Sequence, residues 1–118
     1  MSIKKGVLAE QWACDYLVSQ GLRWVSSNYR CRMGEIDLIM RDGEYLVFVE
    51  VRARVSQAFG GALASVTLAK QKKLLKTAQI YTMNHPMRDQ QALRFDVLSL
   101  DGNPPVVTWI KNAFGSDF

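Results

Sequence analysis

The stretch GEIDLIMRDGEYLVFVEVRAR, residues 34 to 54, constrains the fold of this chain more than any other. It reads as two apolar strands rich in β-branched and aromatic residues, joined at Asp42-Gly43, a dipeptide that favours a two-residue hairpin turn. Two acids interrupt the apolar pattern, Asp37 inside IDLI and Glu50 inside FVEV. With Asp42-Gly43 as the loop, Arg41 faces Glu44, Asp37 faces Phe48, and Glu35 faces Glu50. Side chains alternate along a strand, so Glu35, Asp37, Phe48, Glu50 and Arg52 are expected on one face. Asp37 and Glu50 become diagonal neighbours, roughly 7 to 8 Å apart at the backbone. A bulge in either strand would break this parity.

Carboxylates set among Ile, Leu, Val and Phe repel one another and resist ionisation, so the pattern needs compensation. One reading is a solvated outer face with Arg41 and Arg52 as partners. The other is a divalent cation, because hard ions such as Mg²⁺ take a few carboxylates and fill the rest of their shell with water or phosphate oxygen. A single histidine, and two cysteines, Cys14 and Cys31, too far apart for a CxxC pair, argue against zinc.

The remainder of the chain supplies the frame. Ile3, Val7, Leu8, Trp12, Tyr16 and Leu17 fall near helical spacing before a stop at Gly21. Residues 22 to 30, LRWVSSNYR, read as a strand. After a loop containing Gly60 and Gly61, Thr67 caps a helix running to about Met83, ahead of His85-Pro86. Leu68, Gln71, Leu75 and Ala78 form its expected buried stripe. ALRFDVLSL and VVTWI, separated by DGNPP, read as the last two strands. The order α, β, β, β, α, β, β gives one α/β or α+β domain over residues 1 to 118, a sheet with packed helices.

Composition excludes more than it assigns. No run approaches the roughly 18 apolar residues of a membrane span. Charge is distributed through residues 1 to 20, unlike a cleaved signal, so a cytoplasmic protein with no membrane partner is expected. A net charge of +4 and a pI near 9.3 favour an anionic partner. Lys70, Lys72, Lys73 and Lys76 cluster on the second helix, and Arg23, Arg30, Arg32, Arg52 and Arg54 add charge on the strand side. That distribution suits a phosphate backbone read without sequence preference, or a solvated helix face.

Asp37 followed by Glu50-Val51-Arg52 resembles the D-x(n)-E-x-K signature of the PD-(D/E)XK, or restriction-endonuclease-like, nucleases. The run from Gly6 through Glu10, the NYRCRMGEIDLI block, FVEVRAR, KQKKLLKTAQIY and RFDVLSL resemble, in order and over nearly the whole chain, the YraN-like family. That family is in turn similar to archaeal Holliday-junction resolvases.

The resemblance implies a restriction-endonuclease-like fold, a central mixed β-sheet flanked by helices. It implies a nuclease using Mg²⁺ or Mn²⁺ on structured or branched DNA, with Glu10, Asp37 and Glu50 as metal ligands and Asp37, Glu50 and Arg52 as catalytic positions. Gln71 matches a glutamine that would support the acids from the following helix. Glu35 is a candidate supporting residue bonded to a turn or to an arginine of NYRCR, and Asp96 is a candidate partner of Arg94. Lys70, Lys73, Arg32 and Arg54 are the expected nucleic-acid contacts, and a homodimer is compatible with the resemblance. The chain departs from the nuclease pattern at Arg52, where lysine is usual. A guanidinium stays protonated and cannot accept a proton from water, so the departure leaves open a nucleic-acid-binding or protein-interaction module that keeps the fold without turnover.

Overall fold

The computed structural model describes residues 2–54, 66–86, 92–102 and 104–115, with the side chains of residues 2–7 and 54 outside that description. Helix α1 spans Ser2–Ser19, followed by strands β1 (Arg23–Cys31), β2 (Gly34–Asp42) and β3 (Tyr45–Arg54). Helix α2 (Leu68–Asn84) leads to β4 (Ala92–Asp101) and β5 (Val106–Phe114). The strands form one mixed sheet in the order β1-β2-β3-β4-β5, antiparallel throughout except for parallel β3 and β4. Parallel neighbours require a crossover, and α2 lies within the segment that supplies it. This α/β architecture is compatible with a restriction-endonuclease-like fold. The loop expected around Gly60 and Gly61 lies outside the described residues.

Among the described residues, each sheet face carries one helix. On one side Ile39, Leu46, Phe48, Phe95 and Val97 pack with Leu74, Leu75, Ala78 and Tyr81 of α2. On the other, Leu38, Met40, Val47, Val49, Leu98 and Leu100 pack with Ala13 and Leu17 of α1. β3 is therefore apolar without a break from Tyr45 to Val49, as a strand covered on both faces must be.

Both helical stripes differ from expectation. Leu8 and Trp12 are exposed, and α1 meets the sheet through the expected Tyr16 and Leu17 together with Ala9 and Ala13. In α2, Leu75 and Ala78 are buried as expected, joined by Leu74, Thr77 and Tyr81, whereas Leu68 is 60% exposed. Its N-terminus follows the expected cap: the Thr67 hydroxyl accepts from the Lys70 N–H at 3.2 Å.

The hairpin turn is also shifted. Asp42 pairs with Tyr45 and Arg41 with Leu46, so the loop is Gly43-Glu44, with Gly43 at φ +59°. A glycine in the first of two loop positions suits a type II′ turn. Asp42 remains in the strand because its carboxylate accepts a 2.9 Å bond from Arg94 Nη1. The register moves by two residues relative to expectation, preserving parity but bringing Asp37 toward Glu50 itself.

Candidate functional site

β2 and β3 separate at the acids. Their ladder ends at Leu38 and Val49, although both strands continue, β2 alongside β1 and β3 alongside β4. The Val51 N–H donates to Asp37 Oδ2 at 2.9 Å, so a side chain takes the place of a ladder carbonyl. β1 is irregular at the same level. Asn28 adopts φ +54°, and Tyr29 and Ser27 pair with Ile36 and Leu38 while no Asn28–Asp37 pair forms between them. Asparagine tolerates this left-handed conformation better than most residues.

The parity break follows directly. Ile36 and Ile39 pack toward α2, whereas Leu38 and Met40 pack toward α1. Alternation thus slips by one residue at Asp37. The expected single face holding Glu35, Asp37 and Glu50 is corrected accordingly. Glu35 does not oppose Glu50: it pairs across the ladder with Arg30, whose Nε lies 3.0 Å from Glu35 Oε2.

Asp37 is left between two other acids. Burial raises its pKa to about 7, with the Glu50 charge adding to the rise, the Val51 N–H opposing it, and Glu10 contributing a further increase. Glu10 reaches the group from α1. Its pKa is also raised, first by burial and then by the Glu35 charge, while hydrogen bonds with Asn28 and Asp37 act in the opposite direction. Glu10, Asp37 and Glu50, separated by as many as 40 positions along the chain, are thus electrostatic neighbours.

Glu50 is buried, and cations meet it from two elements. Lys70 Nζ of α2 lies 2.7 Å from Glu50 Oε2, and Arg52 Nε lies 3.6 Å from the same oxygen. A cavity of about 190 Å³ lies against these groups, lined by Gly34, Glu35, Asp37, Glu50, Lys70, Lys73 and Leu74. Gly34 packs closely on α2 there, since a Cβ would stand 3.0 Å from Thr77 Oγ1. A second cavity of about 270 Å³ opens between α1 and β1 beside Glu10, lined also by Gln11, Cys14, Trp24, Ser27 and Asn28.

The remaining candidates are distributed differently. The Gln71 amide donates to Val66 O at 3.1 Å, bracing the start of α2. Lys73 is exposed at the cavity rim and Arg32 is exposed in the turn after β1. The Arg54 side chain lies outside the described residues. Asp96 does meet Arg94, in a buried pair with bonds of 2.9 and 3.0 Å.

Sequence reasoning missed Asn28, whose signal lay only in its tendency toward left-handed backbone. It also treated Lys70 as a surface contact, because nothing local to α2 indicates that its ammonium crosses to β3.

The family comparison agrees with the extent of this architecture. A model of the uncharacterised protein family UPF0102 matches residues 9–100. The chain belongs to the UPF0102 family. A UPF0102 protein of Legionella pneumophila is 52% identical over 114 residues, covering 97% of each chain. Relatives in Alkalilimnicola ehrlichii and Aeromonas hydrophila are 46% and 52% identical, covering 95% and 93% of this chain and 87% and 84% of their own. The stretch matched in the UPF0102 family contains Glu10, Asp37, Glu50, Arg52 and Lys70.

Among the described residues, no group of three or more His, Cys, Asp and Glu side chains stands ready to hold a metal ion. Glu50 is instead engaged by Lys70. The donor chemistry nevertheless fits a hard divalent cation. Three carboxylates supply only oxygen, and the burial and mutual repulsion at Asp37 would be relieved by positive charge.

Proposed function

We propose that this UPF0102 protein is a metal-dependent endonuclease that hydrolyses phosphodiester bonds in structured or branched DNA. The observation carrying this reading is the pairing of Asp37 and Glu50 where β2 and β3 separate, beside a cavity edged with lysine, with Glu10 of α1 as their electrostatic neighbour. Glu10, Asp37 and Glu50 would hold Mg²⁺ or Mn²⁺. Such a cation, when bound, supplies Lewis-acid stabilisation of a phosphate and lowers the pKa of water.

The chain's own groups do the rest. Strand-borne Asp37 and Glu50 are positioned by backbone pairing, and the Val51 N–H orients the Asp37 carboxylate. Lys73 and Arg32 are exposed to attract the phosphate backbone without reading base edges. Arg52, 3.6 Å from Glu50, keeps positive charge beside the acids but cannot remove a proton from water.

The deciding experiment is incubation with labelled duplex, single-stranded and four-way-junction DNA in Mg²⁺ or Mn²⁺. Cleavage lost in Asp37→Asn and Glu50→Gln supports the reading. Cleavage that survives both changes identifies a contaminant. No cleavage of any substrate with either ion rejects the enzyme.

Arg52 favours a second reading, a nucleic-acid-binding module without turnover. Salt-dependent DNA binding in the absence of cleavage would support it.

A further inference from the structure

Two cations approach one buried carboxylate oxygen, and they differ in what they can do next. Arg52 rises from the same strand as Glu50 and its Nε lies 3.6 Å from Oε2. Lys70 reaches across from another element to 2.7 Å. Its backbone is fixed where α2 begins, by the Thr67 cap on its N–H and by the Gln71 bond to Val66 O one residue further on. The anchored backbone carries a flexible four-carbon stem with a compact ammonium, able to change partners within the cavity it already lines.

We propose that Lys70 is the residue of this site that contacts the scissile phosphate, and that in DNA-free protein its ammonium holds the side of Glu50 that a divalent cation takes in the loaded site. The proposal rests on the nuclease reading for its substrate, while its metal-binding half requires no turnover. Glu50 is buried, and both Lys70 and Arg52 stand on its Oε2. A divalent ion drawing on that same oxygen would compete with Lys70 for it. The released ammonium, repelled by the ion, gains most from the non-bridging oxygens of a phosphate. DNA and cation binding are consequently coupled in the favourable direction.

In hydrolysis the oxygen of water forms a bond to phosphorus. The bond from phosphorus to one ester oxygen breaks, with its electron pair passing to that oxygen. The leaving oxygen takes a proton from solvent, and the attacking water releases one to solvent. Lys70 keeps its proton throughout and stabilises the charge that grows on the non-bridging oxygens.

The test compares wild type, Lys70→Ala and Lys70→Arg by Mn²⁺ calorimetry without DNA and by single-turnover cleavage of a four-way junction at saturating protein. Lys70→Ala is expected to bind Mn²⁺ about 3- to 10-fold more tightly, by removal of a like-charged competitor. Its cleavage rate at saturation should fall about 10²- to 10³-fold, the scale of losing one transition-state charge contact. Lys70→Arg should retain wild-type Mn²⁺ affinity and recover part of the rate. Mn²⁺ affinity unchanged or weakened in Lys70→Ala overturns the competition, and wild-type cleavage by Lys70→Ala overturns the phosphate contact while leaving the nuclease reading intact. Tighter Mn²⁺ binding by Lys70→Ala with no cleavage by any of the three proteins overturns the nuclease reading and the phosphate contact together, and supports the competition alone.

Discussion

Asp37 and Asp96 occupy similar places in the sheet and are treated in opposite ways. Each lies in an interior strand at a ladder irregularity, and each faces a neighbouring strand with an asparagine in left-handed backbone, Asn28 at φ +54° and Asn112 at φ +53°. Asp96 is fully buried and accepts four hydrogen bonds: two from Arg94 at 3.0 and 2.9 Å, one from Trp109 Nε1 at 3.0 Å and one from the Asn112 N–H at 2.9 Å. Asp37 accepts the Val51 N–H and otherwise faces acids. One irregularity brings donors to a charge; the other brings like charges together. The first is a structural ion pair, which costs desolvation and repays it through complete hydrogen bonding. In the second, Lys70 and Arg52 meet Glu50 while Asp37 stays raised by burial and by its acidic neighbours, a condition that an external cation would relieve.

The largest effect should come from breaking the satisfied side of this comparison. Asp96→Ala leaves the Arg94 guanidinium buried without its bidentate partner, and urea unfolding should show a loss of about 3 to 5 kcal/mol. A loss below about 1 kcal/mol would remove the distinction between the two aspartates. Next in size is cation binding at Asp37. Mn²⁺ at 100 times its dissociation constant should stabilise wild type by about 2.7 kcal/mol, and Asp37→Asn should lose most of that gain. A melting temperature indifferent to millimolar Mn²⁺, with and without DNA, would sink the site.

The third effect has the opposite sign to an ordinary aspartate deletion. Asp37 ionises near 4 in an unfolded chain and at about 7 in the fold. Between those values the folded state holds a proton that the unfolded state has released, so this group makes stability fall as pH rises through that window. In metal-free protein at pH 8, Asp37→Asn should therefore be more stable than wild type by about 1 to 3 kcal/mol, and the advantage should vanish near pH 4. Denaturant melts of both proteins across that range check it, and a mutant less stable at pH 8 would show that Asp37 is compensated after all. The smallest effect belongs to Glu35, whose partner Arg30 is exposed. Glu35→Gln should change unfolding stability by less than about 0.5 kcal/mol.

By itself, the sequence determined the element order among the described residues, the Thr67 cap, the stop before His85-Pro86 and the presence of Asp37 and Glu50 in neighbouring strands. These depend on local preferences and on short-range pairing, which adjacent residues encode. Tertiary structure decided the rest. The hairpin register depended on Asp42 being held by Arg94, 52 residues away, and not on the turn dipeptide alone. The buried face of α1 depended on which side of the helix the sheet packed against, which covered Ala13 and left Trp12 46% exposed. The slip in side-chain direction at Asp37 depended on β1 and β3 both departing from regular pairing at that level. Lys70 became part of the site only when the crossover brought the start of α2 over Glu50. A residue's charge is written in the sequence, but which opposite or like charge it meets is fixed by chain segments that fold against it from a distance.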